Sequence, residues 1–333
     1  MLKVLFIGGT GNISTSVSKL CTKNGIDLYL LNRGTRGVEI PGAKIIKGDI
    51  SNVDQITPAL KDHKWDVVVN WIAFTEDQIE RDINLFKGKT KQYIFISSAS
   101  AYQKPPTHPV ITESTPLYNP FWEYSRNKIT CEERLNHAYR EDNFPITIVR
   151  PSHTYDTVIP VALGGWTEYN IINRMKKGQK IIVHGDGTSL WTMTHAEDFA
   201  KGFYGLLGHQ QAIGNAFHIT SDEMLTWNQI YQAVADAVGV EPNIIHIPSD
   251  FICKIDKEQT GNLIGDKAYS VIFDNTKIKM FVPDFKAVIP FSQGVKRSIA
   301  WFEADPKRQV ISKATDEMLD KIITEYEKKV SNH

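Results

Sequence analysis

The apolar run Val4-Leu5-Phe6-Ile7 passes without a break into Gly8-Gly9-Thr10-Gly11-Asn12-Ile13-Ser14, and a helical pattern occupies 14–24. A short apolar run ended by glycines reads as a buried strand, and glycine lets the following helix fold straight back across it. The same alternation recurs: strands are predicted at 27–31, 44–47, 66–71, 93–97 and 146–150. Helical patterns lie between them at 53–61, in a short stretch at 76–86, and at 123–139. Strands that are apolar on both faces need helices on both sides, so the expected class is α/β with a doubly wound parallel sheet.

The glycine turn has a chemical use in such a sheet. Gly8 and Gly11 let the backbone approach a pyrophosphate, and Asn12 and Ile13 open a helix whose free N–H groups and dipole favour an anion. Ser14 stands where a third glycine is usual; that position needs only a small side chain. This is the pattern of a Rossmann dinucleotide site. The second strand ends in Asn32-Arg33 rather than in a carboxylate. A guanidinium pairs with a 2′-phosphate, so NADP is favoured over NAD, unless Arg33 simply faces water. Asp49-Ile50 ends the third strand near the expected adenine, where Asp49 is either an acceptor for its amine or a plain turn aspartate.

Tyr124-Ser125-Arg126-Asn127-Lys128 opens the long helix, and residues four apart project from one face. A phenol is too weakly acidic to serve as a base unless nearby positive charge lowers its pKa, and Lys128 supplies such a charge. Lys128 can also bond a nicotinamide ribose. Ser97-Ser98-Ala99-Ser100 lies at the carboxyl end of the preceding strand, where open α/β sheets hold ligands. Ser98 would position a substrate oxygen against Tyr124, and Ser100 is a candidate substrate contact.

Taken in order, Gly-Gly-Thr-Gly-Asn, Ile-Ser-Ser-Ala-Ser-Ala-Tyr, Tyr-Ser-Arg-Asn-Lys and Arg150-Pro151 resemble the extended short-chain dehydrogenase/reductases, in particular the NAD-dependent epimerase/dehydratase proteins. The resemblance runs from Met1 to about Asp198. It implies Ser98 and Tyr124 as catalytic residues, with Lys128 as the tyrosine's partner. It also implies Pro151 at the nicotinamide end, and Asn70 and Ala73 near the adenine ribose and pyrophosphate. Many sugar-nucleotide enzymes of the family carry a Gly-Asp-Gly segment with an arginine that grips the substrate diphosphate. Here Gly185-Asp186-Gly187 aligns, as do His195 and Asp198, but Trp191 takes the arginine's place. A flatter, less charged ligand suits that tryptophan, unless it is core. His153 follows Arg150-Pro151 and faces the expected cleft, as a proton carrier, a substrate contact or a merely bonded histidine. The helix at 76–86 is short for the family, which weakens the homodimer that the resemblance implies.

Residues 1–152 are expected to form the cofactor domain, and 153–333 a smaller, mainly substrate-binding region. The segment 194–220 should return to the first domain through a helix at 195–207, capped by Thr194, and a strand at 216–219. Further helices are expected at 169–177, 226–238 (capped by Thr226), 294–305 and 315–330, with strands at 181–183 and 244–247. Lys+Arg and Asp+Glu both number 38, so nucleic acid is an unlikely partner. Cys21, Cys131 and Cys253 are too scattered for a disulfide framework, and no metal site is expected. No apolar run has membrane-spanning length, and the expected compartment is the cytoplasm. The function expected is NAD(P)-dependent oxidoreduction, epimerisation or dehydration at a hydroxyl or carbonyl of a small, sugar-like substrate. The alternatives are a cofactor-occupancy sensor, or an RNA-binding protein related to chloroplast stem-loop binding proteins.

Overall fold

In the computed structural model, residues 1–35 and 37–331 are described. Seven strands form the central sheet: β1 (Lys3–Ile7), β2 (Asp27–Asn32), β3 (Lys44–Lys47), β4 (Val67–Asn70), β5 (Tyr93–Ile96), β6 (Ile146–Arg150) and β7 (Asn215–His218). Their spatial order is β7-β6-β5-β4-β1-β2-β3, and every pairing is parallel. Ile7 lies opposite both Leu31 and Asn70, so the carboxyl ends of the central strands are level. The order reverses at β1 and β4, and a crevice opens above that reversal.

Period-two alternation sends Val4 and Phe6 to one face of β1, and Leu5 and Ile7 to the other. The first face packs with Val17 of α1 (Ser14–Lys23) and with Phe199, Phe203 and Leu206 of the helix Ala196–Leu206. The second face packs with Ile56 of α2 (Val53–Leu60), Ile79 and Ile83 of α3 (Glu76–Phe86) and Leu135 of α4 (Glu123–Asp142). Each such fully buried aliphatic or aromatic side chain contributes roughly 1.5–3 kcal/mol against exposure. The helix Ala196–Leu206 and β7 pack with this sheet although residues 151–195 separate them from β6 in the chain.

The helix cap differs from expectation. His195 Nδ1 accepts the Glu197 N–H at 3.2 Å, while the Thr194 hydroxyl accepts from the Ser221 N–H at 2.9 Å. Thr194 is therefore strand, at the end of Met193–His195, and the cap falls one residue later. Thr226 does cap Trp227–Val238, in a reciprocal box with Gln229.

The second half has its own core. The parallel pair Ile181–His184 and Ile244–Ile247 packs with Trp227–Val238, Phe291–Glu303 and Lys313–Ser331. Short segments without strong periodicity fill the rest, including Ser249–Ile255, Gln259–Asn262 and a π-helical turn at Leu263–Lys267. Among the described residues no helix is long and apolar enough to cross a membrane.

Candidate functional site

Two cavities open above the carboxyl ends of the strands. The larger is about 1240 Å³ and runs from the β1–α1 turn, over the reversal, to Tyr124 and Lys128. The smaller is about 490 Å³ and lies between Tyr124 and the second half of the chain. Ser98, Tyr124, Pro151, Ser152 and Trp166 belong to both walls.

Gly8 and Gly9 have φ of +95° and +102°. A Cβ on Gly8 would lie 3.2 Å from Ile72 Cγ2, and one on Gly9 only 2.8 Å from Leu30 Cδ2. Both therefore need glycine, and Gly9 is a requirement that the spacing of Gly8 and Gly11 does not reveal. Ser14 accepts the Gly11 N–H at 2.9 Å, which turns the missing third glycine into a bond that ties the loop. The first turn of α1 carries neither an acidic residue nor a side-chain cap, so amides at its start are left for a ligand. Asn12 donates to the Thr154 carbonyl at 2.9 Å, and its buried Oδ1 has no partner among the described residues. A close-approach turn, a free helix end and an orphaned acceptor together fit a dinucleotide.

Ile13, Asn32, Arg33, Asp49 and Ile50 line this cleft beside the ends of β1, β2 and β3. Asn32 Oδ1 accepts from the Gly34 N–H at 3.0 Å, which shapes the turn rather than a ligand contact. Asp49 Oδ1 is taken by the Ser51 N–H (2.9 Å) and hydroxyl (2.7 Å), so the turn reading accounts for this oxygen. The other oxygen lies 3.8 Å from the largely exposed Arg33 guanidinium. Asn70 and Ala73 are placed differently from expectation: neither lines the cleft, and both are buried. Asn70 turns inward to donate to Asp82 and accepts from the Ile72 N–H at 2.8 Å. Trp71, Ile72 and Phe74 form that wall instead. A run of apolar residues past a strand end gave no sign of this in sequence.

Ser98, Tyr124 and Lys128 converge where the cavities meet. The Lys128 ammonium is buried, donating to the carbonyls of Ala73 (2.7 Å) and Ile96 (2.8 Å). Burial lowers its pKa to about 8. It stands 5.7 Å from the centre of the Tyr124 ring. Burial pushes the Tyr124 phenol above its ordinary range, a bond with the Ser98 hydroxyl opposes this, and the Asp266 carboxylate adds to it. The expected lowering of the phenol is thus not built into the protein alone.

Ser98 heads a chain of hydroxyls. Ser125 Oγ donates to Ser100 Oγ at 2.7 Å, and Ser100 Oγ lies 2.9 Å from Ser98 Oγ. Ser100 is only 4% exposed, so its hydroxyl is committed to this chain although the residue borders the smaller cavity. Pro151 lies in both walls, beside β6.

The smaller cavity is walled by Trp122, Trp166 and Trp191. Trp191 Nε1 donates to His153 Nδ1 at 3.1 Å. Both side chains are buried, yet both face the cavity, so Trp191 is at once core and wall. Burial, with the charge of Lys267 in second place, holds His153 well below the usual imidazole range. Trp166 has φ of +67°, rare for a bulky residue, and is 44% exposed. Asp266 and Lys267 enter the wall from the π-helical turn. Sequence patterning gave no signal for either residue.

A family model described as "NAD dependent epimerase/dehydratase family" matches residues 4–220. The chain is 28% identical over 265 residues to the chloroplast stem-loop binding protein of 41 kDa b of Arabidopsis thaliana, covering 75% of this chain and 67% of that protein. It is 23% identical over 291 residues to 2′-dehydrokanamycin reductase of Streptomyces kanamyceticus, covering 86% and 80%. Among solved structures, the epimerase Mth375 of Methanothermobacter thermautotrophicus superposes with a TM-score of 0.74 at 16% identity, covering 92% of this chain and 93% of that one. UDP-glucuronic acid 4-epimerase of Bacillus cereus, in complex with NAD, gives 0.72 at 17% identity, covering 92% and 100%. These likenesses agree with the seven-stranded parallel sheet, and the match over 4–220 contains the glycine turn, Ser98, Tyr124 and Lys128. The chain belongs to the NAD dependent epimerase/dehydratase family.

Proposed function

We propose that this protein is an NAD(P)-dependent oxidoreductase or epimerase/dehydratase that works on a hydroxyl or carbonyl carbon of a small substrate. The observation that carries the reading is the meeting of Ser98, Tyr124 and Lys128 at the junction of a dinucleotide-sized cleft and a smaller cavity. Binding of a nicotinamide cofactor in the larger cleft supplies the acceptor for the two electrons and hydrogen that leave the substrate carbon. Ser98 holds the substrate oxygen; Tyr124 takes its proton as the carbonyl forms and returns it in the reverse direction. Lys128, anchored by two main-chain carbonyls, keeps positive charge near the phenol and would hold the nicotinamide ribose. Trp166 and Pro151 border the junction from both cavities.

NADP is the favoured cofactor because the end of β2 carries Arg33 and no carboxylate, and Arg33 lies in the cleft wall with its guanidinium largely exposed. Arg33→Ala should lower the thermal stabilisation given by NADP⁺ and leave that given by NAD⁺ nearly unchanged. Stronger stabilisation of the unaltered protein by NAD⁺ would overturn the preference. Tyr124→Phe tests the chemistry: with the cofactor still bound, turnover of the reduced cofactor should fall by at least about a hundredfold, the usual worth of a positioned proton donor. Stem-loop binding, the activity in the name of the chloroplast relative, finds less support as nucleic-acid binding in a chain with no net charge that keeps all three of these side chains.

A further inference from the structure

His195 caps the helix Ala196–Leu206 with a ring that titrates. Its Nδ1 accepts the Glu197 N–H at 3.2 Å, so in the neutral ring the proton sits on Nε2. The usual caps are asparagine, aspartate, serine and threonine, and none of them turns from acceptor to donor near neutral pH. An imidazole does. Once it is protonated both nitrogens donate, and two N–H groups face each other across the cap. The new charge also lies at the positive end of the helix dipole.

The ring has little room to turn away. It is 2% exposed, Tyr155 stands edge-on to it at 5.3 Å, and a Cβ on Gly294 would lie 3.1 Å from its Cδ2. Four charges act on it: Asp156, just past the strand His153–Tyr155, Glu197 and Asp198 on its own helix, and Arg297 on Phe291–Glu303. Three of these are engaged elsewhere. Glu197 pairs with Arg297 at 3.2 Å. Asp198 takes the Lys201 ammonium at 2.6 Å and the N–H groups of Val288 and Ile289 at 2.9 and 2.8 Å. Asp156 accepts from the Ser16 hydroxyl at a long 3.4 Å, with the charge of Lys19 further off, and is the carboxylate left for an imidazolium. Burial holds the His195 ring below its ordinary range, and the Asp156 charge opposes this.

Ser16 belongs to α1, whose amino end borders the larger cleft. The helix that His195 caps packs on the same α1, where Phe199 and Phe203 share a core with Val17. One ring thus stands beside two of the contacts that brace α1.

We propose that His195 is an acid latch: its protonation exchanges the cap of Ala196–Leu206 for an ion pair with Asp156, and so loosens α1 and the glycine turn before it. This rests on the proposed cofactor site only for the ligand that the turn holds. Well above pH 6.5 the ring is neutral with the latch shut or open, and the cap is complete. The open form takes up the proton first, so the shut form loses ground as pH falls past about 6.5. One linked proton changes an affinity by at most about tenfold per pH unit.

Calorimetric titration of the full chain with NADP⁺ and with NAD⁺ between about pH 8 and 5 reads the latch, against His195→Asn, whose side-chain oxygen caps without titrating. The 2′-phosphate of NADP⁺ titrates near pH 6 with either protein and cancels in the comparison. The unaltered protein should lose about three- to tenfold more affinity than the variant across that range. Equal losses overturn the proposal. Two measurements on the unaltered protein do not depend on how the variant folds. Nitrogen NMR of labelled histidines should place the His195 proton on Nε2 at about pH 8 and find both nitrogens protonated at the acid end. Amide exchange should find the protection of Glu197 N–H falling by about tenfold over the same step, while Gln229 N–H, held by the Thr226 hydroxyl at 3.2 Å, keeps its own. A proton on Nδ1 at pH 8, a ring still neutral at pH 5, or unchanged protection of Glu197 overturns the latch. If neither nucleotide binds at any pH, the cofactor reading falls and amide exchange alone decides the latch.

Discussion

At the scale of single residues, Tyr124 depends on what surrounds its oxygen. The protein alone raises its pKa, and the one opposing contact is Ser98. Ser98 is in turn oriented through Ser100 by Ser125, which is fully buried and cannot reach a ligand. Ser125→Ala should therefore lower kcat by about two- to tenfold, the worth of one hydrogen bond, and leave the KM for cofactor unchanged. In the direction of carbonyl formation, where Tyr124 is the base, the acidic limb of the pH–rate profile should move to higher pH, a shift that mere loosening of the helix would not produce. Lys128 carries a second prediction. Its folded pKa of about 8 lies below the unfolded value of 10.5. Below pH 8 both states hold the proton and the desolvation cost is felt in full. Between pH 8 and 10.5 the unfolded chain holds more protons, so the native state gains relative stability as pH rises. Paired urea titrations should find this protein gaining on Lys128→Met by up to about 1.4 kcal/mol per pH unit across that window. The Tyr124–Lys128 pairing was legible because residues four apart on a helix share a face. The commitment of Ser100 to its neighbours, and of Asn70 to Asp82, was not legible, because both depend on partners distant in sequence.

At the scale of elements, the β1–α1 turn was readable in type but not in detail. Glycine spacing pointed to Gly8 and Gly11, whereas the tightest steric demand falls on Gly9, set by Leu30 on the neighbouring strand. Gly9→Ala should cost about 1–3 kcal/mol in denaturant unfolding, from positive φ and crowding together. The segment Gln259–Lys267 had no readable period, since a helix that widens into a π turn breaks the spacing on which pattern reading relies. Its contribution is to press two glycines against Trp122. Gly261→Ala should push it outward, so that ligand affinity in the smaller cavity falls while cofactor affinity, measured separately, is kept. The cap at His195 rather than Thr194 has a related cause: Thr194 had a partner in Ser221, which local sequence cannot reveal.

At the scale of the molecule, the sheet is not a product of its first 150 residues. Phe199, Phe203 and Leu206 cover one face, and β7 closes the edge beside β6. A fragment of residues 1–152 would leave that face in water and should not unfold cooperatively; circular dichroism against urea would test this. The parallel sheet itself was legible, because strands buried on both faces are written as continuous apolar runs. The smaller cavity was not, because its walls come from Trp122, Val161–Trp166, Trp191 and Asp266-Lys267, widely separated segments with no shared pattern. Trp166 has one further consequence. Because this single side chain is counted in the walls of both cavities, the two ligands do not bind as strangers. Any free energy that the first arrival spends on ordering the indole is already spent for the second, and the coupling acts by the same factor in either sequence of arrival. Cooperative binding can thus be set by one tryptophan, without movement of either half of the chain.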